Sequence, residues 1–130
     1  MTVGVLIITH QDLGDSMLRT ARKTINYCPL KVETLPIDSD CIPEDMDAVA
    51  RVVCERLDDG GGILVLTDLF GSTPSNISVR LLSRDNVEVI SGINLSMLIR
   101  VMNYPDLSLP DLITKALTGG HDGINLCEKP

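Results

Sequence analysis

The sequence is poor in aromatic residues and in positive charge. It contains no tryptophan, two tyrosines and one phenylalanine, and its 11 Lys and Arg are outnumbered by 18 Asp and Glu, for a net charge of -7. Nucleic-acid-binding proteins use clustered cations to contact phosphates and aromatic rings to stack on bases. The composition therefore argues against nucleic acid as a partner, and it favours association with a protein that has a positive face.

The chain also lacks the spacings of a disulfide framework, a zinc site or a membrane segment. Its four cysteines, none in a C-x-x-C pair, are Cys28, Cys41, Cys54 and Cys127. Three of them lie in apolar segments, so we interpret them as reduced thiols. No apolar stretch approaches the roughly 20 residues that span a bilayer, and no basic leader precedes the first strand. We expect a cytoplasmic protein without membrane insertion.

Short β-branched runs alternate with helical patterns along the whole chain, which is typical of a βαβ series in one domain. The predicted strands cover residues 3–9, 31–37, 63–67, 87–90 and 124–127. The predicted helices cover residues 15–26, 43–57, 74–83, 95–103 and 109–117, with Thr73 as the cap of the third. Right-handed crossovers favour an α/β fold with an open, doubly wound, mainly parallel sheet of order about 2-1-3-4.

Two polar residues stand directly after apolar strands. His10 follows the first strand and Asp68 follows the third. The common doubly wound orders place these two strands side by side, and ligands bind in the crevice at their carboxyl ends. We therefore expect the imidazole and the carboxylate to face the same crevice.

The loop after the third strand, residues 68–76, is suited to an anion. Gly71 permits a tight turn, and backbone amides before a helix form an anion site without lysine. Phosphoryl oxygens would be held by amides of residues 71–73 and by the hydroxyl of Ser72 or Thr73. A neutral His10 would attack phosphorus, while Asp68 accepts a hydrogen bond from the other ring nitrogen.

Four segments in the same order carry a family resemblance. They are Val-Leu-Ile-Ile-Thr-His at residues 5–10, Asp-Leu-Phe-Gly-x-x-Pro-x-Asn at 68–76, Gly-Ile-Asn-Leu-x-Met-Leu at 92–98 and Asp-Gly-Ile-Asn at 122–125. Together they resemble the enzyme IIA domain of the mannose-type (mannose/fructose/sorbose) phosphoenolpyruvate:sugar phosphotransferase system. One departure is that the frequent Gly-Gly-Ser-Pro of that family is replaced here by Gly-Ser-Thr-Pro at residues 71–74.

The resemblance implies a phosphotransferase component that needs no cofactor or metal. His10 would accept a phosphoryl group from HPr and pass it to an enzyme IIB component, with Asp68 orienting the imidazole. It also implies a homodimer in which a short C-terminal strand is exchanged between subunits. Because no linker precedes the end at Pro130, we expect the enzyme IIB to be a separate protein. A membrane transporter could recruit the domain, and transport and regulation both stay open.

Partner contacts are predicted in the loops that follow the third and fourth strands. The candidates are Phe70, Ile93, Asn94 and Met97. The helical spacing of Met97 fits a core position equally well.

Two other functions fit parts of the same pattern. In a receiver-like signalling domain, Asp68 would accept the phosphoryl group with magnesium. Such domains also need an acidic pair after the first strand and a lysine after the last. A non-catalytic module would instead bind a small ligand in the crevice, although neither a G-x-G-x-x-G nor a P-loop lysine is present.

Overall fold

The computed structural model describes residues 1–26 and 28–130. In this part of the chain, the strands are β1 (Gly4–His10), β2 (Val32–Ile37), β3 (Ile63–Thr67) and β4 (Val87–Ser91). The helices are α1 (Leu13–Thr24), α2 (Pro43–Leu57), α3 (Thr73–Arg80), α4 (Leu95–Met102) and α5 (Leu109–Asp122), with a 3₁₀ turn over Leu81–Ser83.

The four strands form one parallel sheet in the order β2-β1-β3-β4, which confirms the predicted strand order. The predicted bounds of these strands are correct to within one residue. In the register of the central pair, Ile8 lies opposite Thr67, so His10 extends two residues beyond the end of β3. This register brings His10 and the residue after Thr67 to the same edge of the sheet.

Apolar side chains cover both faces of the two central strands. Val5 and Ile7 of β1 belong to a core formed with α1, α4 and α5, whereas Leu6 and Ile8 belong to a second core under α2 and α3. Burial on both faces explains why β1 and β3 are nearly continuous apolar runs. The two cores fix the strands that carry the polar residues at the sheet edge.

The C-terminal region differs from the prediction. Residues 124–130 form no strand within the chain, and α5 continues to Asp122 instead of ending near residue 117. Gly119 and Gly120, which follow the predicted end of this helix, are packed against α4. A Cβ atom on Gly119 would lie 2.5 Å from Cβ of Arg100, and one on Gly120 would lie 2.8 Å from Cε of Met97. Close packing of two helices therefore overrides the tendency of glycine to end a helix.

Two helix starts also differ from the prediction. Helix α1 begins at Leu13, where the Thr9 hydroxyl accepts a hydrogen bond from the amide of Gly14 at 2.8 Å. Helix α3 has Ser72, not Thr73, at its N-cap position. No helix within residues 1–26 and 28–130 has the length and apolar character needed to cross a membrane.

Candidate active site

His10 and Asp68 form a hydrogen-bonded pair at the carboxyl edge of the sheet. The Nδ1 atom of His10 lies 2.7 Å from Oδ2 of Asp68, and the His10 amide donates to the same oxygen at 3.0 Å. The His10 side chain is 48% exposed, whereas that of Asp68 is 11% exposed. The ring is thus anchored through Nδ1, and the hydrogen bonds among the described residues leave Nε2 without a partner.

The environment of Asp68 fixes its charge. Burial raises the pKa of Asp68, but hydrogen bonds from the His10 amide, the His10 ring and the Leu69 amide together hold that pKa below its ordinary value. Asp68 is therefore an acceptor at neutral pH. The proton between the two side chains is assigned to Nδ1 of His10, which leaves the lone pair on Nε2.

The backbone turns sharply after His10. Gln11 has a φ of 48°, a left-handed conformation that is uncommon for residues other than glycine, and its amide donates to the carbonyl of Ile37 at 3.0 Å. Such a conformation costs about 1 kcal/mol or more and often occurs at functional sites. It makes His10 the last residue of β1, with its ring at the mouth of the crevice.

The second loop of the site is shaped by Gly71. Its φ is 86°, and a Cβ atom placed on it would meet nothing within 4 Å, so glycine is required for the backbone conformation alone. The amide of Gly71 donates to the Ser75 hydroxyl at 3.3 Å. The amide and the hydroxyl of Ser72 both donate to the carbonyl of Leu69, at 3.2 and 2.6 Å. Two of the amides predicted to bind an anion therefore already have partners inside the loop.

A cavity of about 460 Å³ lies beside His10. Thr73 and Pro74, at the start of α3, form one part of its wall. Another part of the wall, which was not predicted from the sequence, comes from the loop between β2 and α2 and includes Asp38, Ser39 and Cys41. This wall could have been predicted from the strand order. Strand β2 is a neighbour of β1, so the loop at its carboxyl end must lie beside His10.

The loop after β4 supports the site from behind. The amide of Gly92 donates to the carbonyl of Asp68 at 3.0 Å. Asn94 caps α4 by accepting a hydrogen bond from the amide of Met97, and its side-chain nitrogen donates to the carbonyl of Gly120 at 3.1 Å. Ile93 and Met97 are buried in the core, which conflicts with the partner contacts predicted for them.

Of the four predicted partner contacts, Phe70 is the one that projects into solvent. Its side chain is 79% exposed, and that of the adjacent Leu69 is 63% exposed. Large apolar side chains exposed in neighbouring positions are typical of sites that contact another protein. Within residues 1–26 and 28–130, no group of three or more His, Cys, Asp and Glu residues is placed to hold a metal ion.

Comparisons with known proteins agree on one family. A family model described as the PTS system fructose IIA component matches residues 4–116. The PTS system mannose-specific EIIAB component of Escherichia coli K12 is 26% identical over an alignment of 129 residues, which covers 95% of this chain and 39% of that relative. The chain therefore spans well under half the length of this curated relative.

Two solved structures share the fold. The phosphotransferase system component EIIA from Streptococcus agalactiae is 26% identical, with a TM-score of 0.79 over 95% of both chains. The mannose/sorbose-specific IIA subunit from Enterococcus faecalis is 17% identical, with a TM-score of 0.86 over 100% of this chain and 98% of that one. Since the family match includes His10 and the loop of Asp68, this chain belongs to the mannose/fructose-type IIA components of the phosphotransferase system.

Proposed function

We propose that this chain is a phosphohistidine carrier. His10 accepts a phosphoryl group from HPr and passes it to an enzyme IIB component. The observation that carries this proposal is the 2.7 Å contact between Nδ1 of His10 and Asp68, which leaves Nε2 of a half-exposed ring available at the sheet edge. Membership of the IIA family supports the same assignment.

The transfer is a displacement at phosphorus between two imidazoles. The lone pair on Nε2 of His10 attacks the phosphorus of the donor phosphohistidine, a new P–N bond forms, and the electron pair of the breaking P–N bond returns to the donor ring. The proton on Nδ1 stays on His10, so the phosphorylated ring is a cation that the Asp68 carboxylate stabilises. Transfer to the acceptor reverses these steps and consumes no other reactant.

The start of α3 is suited to hold the phosphoryl oxygens. Thr73 shares the cavity wall with His10, and the first turn of α3 presents backbone amides at the positive end of the helix dipole. We assign the contact with phosphoryl oxygens to the Thr73 hydroxyl and to these amides. Gly71 and Ser72 then act by shaping the loop that brings Thr73 to His10.

The surface around His10 is suited to a positively charged protein. The four loops at this edge, residues 10–13, 38–44, 68–73 and 91–95, contain no Lys or Arg. They carry exposed carboxylates, and Leu69 and Phe70 project among them. An apolar centre with a charged rim is typical of protein interfaces, and complementary charge accelerates docking. Since HPr and enzyme IIB must both reach His10, both dock on this face.

The C-terminal segment supports a homodimer. Residues 124–127 are all exposed, and the apolar Ile124 and Leu126 occupy alternate positions in this segment. Strand β4 is an edge of the sheet, so its outer side has unpaired backbone groups. We propose that this segment of each subunit adds as a strand to the β4 edge of its partner. Such an exchange would cover both the apolar residues of the segment and the unpaired backbone of β4 in one symmetric contact.

The first prediction concerns the phosphorylated residue. With phosphoenolpyruvate, enzyme I and HPr, the chain should gain one acid-labile phosphoryl group, measured by intact mass. His10→Ala should abolish it, and Asp68→Asn should slow its transfer by about 10²-fold. The control is His121→Ala, which changes the other histidine and should label normally. Label that survives His10→Ala, or a base-labile adduct lost in Asp68→Asn, would instead indicate a receiver-like acylphosphate.

The second prediction concerns the charge on Asp68. Because folding lowers the pKa of Asp68, the stabilisation from its ionised form is fully present above the unfolded pKa of about 3.9, and it is lost as the pH falls through the folded pKa. Urea unfolding should therefore show Asp68→Asn less stable than the native chain at pH 7, with the gap narrowing towards pH 3. The matched variant Asp12→Asn, which removes a carboxylate from an adjacent exposed loop, is the control for the change of charge alone. A constant gap for Asp68→Asn would contradict the pairing.

The third prediction concerns the docking face. Phe70→Ala should lower kcat/KM about tenfold for transfer from HPr and for transfer to enzyme IIB, because an exposed aromatic anchor contributes more than 1 kcal/mol to binding. The free energy of unfolding should not change, since Phe70 is exposed. Val52→Ala, at an exposed apolar position of α2, is the control. Equal rates for Phe70→Ala and Val52→Ala would show that HPr and enzyme IIB do not dock on the face around Phe70.

The fourth prediction concerns the dimer. Sedimentation at micromolar concentration should show two subunits for the full chain and one for a chain truncated after Gly123. Truncation after Cys127, which keeps the alternating apolar residues, should preserve the dimer. A monomeric full chain would contradict strand exchange, and so would a dimer that persists in the chain truncated after Gly123.

A further inference from the structure

The outer side of β2 is an unpaired sheet edge. The amide of Val5 donates to the carbonyl of Lys31 at 2.9 Å, and the amide of Gln11 donates to the carbonyl of Ile37 at 3.0 Å. In a parallel ladder alternate residues bond to the same neighbour, so Val32 and Thr34 direct their backbone groups away from β1. Pro36 comes next in this alternation and has no N–H to offer, which limits the open ladder to the first half of β2.

A groove of about 730 Å³ runs along this half of β2, between the strand and α1. Its apolar floor is formed by Leu18 and Val32. Next to it, a second cavity of about 510 Å³ extends past the start of the strand and shares Arg22 with the groove. The two cavities contain five of the eleven basic residues of the chain: Arg19, Arg22, Lys23, Lys31 and Arg56.

The carboxylates in the groove are already engaged. Asp15 accepts a hydrogen bond from the Thr34 hydroxyl, and Glu33 pairs with Arg56. Among residues 1–26 and 28–130, no carboxylate oxygen lies within 4.0 Å of the charged groups of the other four cations. Five basic residues line the two cavities against two carboxylates, Asp15 and Glu33. The groove is therefore positive in a chain whose net charge is -7, and it is opposite in sign to the face around His10.

We propose that this groove binds an acidic, extended segment of a further partner protein. The segment would pair with the backbone of Val32 and Thr34 as an added strand and direct carboxylates towards Arg19, Arg22 and Lys23. Charge complementarity selects an acidic occupant. The open ladder selects a polypeptide, because neither a nucleic acid nor a lipid headgroup offers alternating N–H and C=O groups.

This binding site is separate from the phosphoryl-transfer face. His10 lies opposite Ile37 at the far end of β2, beyond Pro36, so a segment bound at Val32 and Thr34 leaves the imidazole uncovered. The partner is thus distinct from the proteins that exchange phosphoryl groups with His10. Binding of the acidic segment therefore does not depend on phosphoryl transfer by His10.

The test uses an acetylated and amidated peptide, Glu-Thr-Glu-Val-Glu-Thr-Glu, titrated into the isotopically labelled full chain. The amide signals of Val32 and Thr34 should shift most, and added salt should weaken binding. A peptide with Lys in place of every Glu should not bind. A Glu peptide with proline in place of its central Val should bind more weakly, because proline removes an N–H from the added strand.

Two double variants that lose the same charge distinguish binding in the groove from an effect of the net charge of the protein. Arg22→Gln with Lys23→Gln should weaken the Glu peptide about fivefold, as expected for the loss of two exposed ion pairs. Arg51→Gln with Lys129→Gln removes the same charge elsewhere and should leave the affinity unchanged. Thermal unfolding and phosphorylation by HPr should be normal in both variants, which shows that they are folded. Shifts confined to other residues, equal binding of the Lys or proline peptide, or equal loss in the control would overturn the proposal.

Discussion

The geometry of the site depends on the hydrogen bond between His10, the last residue of β1, and Asp68, which follows β3. Oδ2 of Asp68 accepts from both the ring and the amide of His10, while its other oxygen accepts from the amide of Leu69. The carbonyl of the same aspartate accepts from Gly92. One residue therefore connects the loops that follow three neighbouring strands. Asp68 sets the tautomer of the His10 ring because these loops hold the Asp68 side chain in a fixed position.

That fixed position comes from the two cores on either side of the sheet. Helix α1 approaches β1 so closely that a Cβ atom on Gly14 would lie 2.7 Å from Cγ2 of Ile7, and the amide of Gly14 is bound by Thr9. Interiors packed at this density do not deform continuously. The end of β1, and with it His10, is therefore located by contacts that extend through the whole α1 layer. The left-handed turn at Gln11 follows His10 directly, and its amide donates to the carbonyl of Ile37.

The features that sequence predicted correctly follow from local periodicity and from the rules for parallel sheets. The strand bounds, the strand order and the meeting of His10 with Asp68 are of this kind. The errors concern contacts between different elements, which local periodicity does not reveal. Gly119 continues a helix because Arg100 of α4 packs against it, and helical spacing could not distinguish a buried Met97 from a docking residue. The cavity wall from the loop after β2 was not predicted, because residues 38–44 contain none of the motifs that mark the other loops of the site.

The direction of the helices explains the charge distribution that the proposed function uses. Each helix that follows a strand of this parallel sheet begins near the edge that carries His10 and ends near the opposite edge. Acidic residues in the first turn and basic residues in the last turn stabilise helix dipoles, and α2 follows this rule with Glu44, Asp45 and Arg56. A pattern that stabilises helices therefore also makes the surface around His10 acidic. In the proposed carrier, a phosphoryl group on His10 would add negative charge to that surface, and the resulting repulsion would favour its release to a positively charged acceptor.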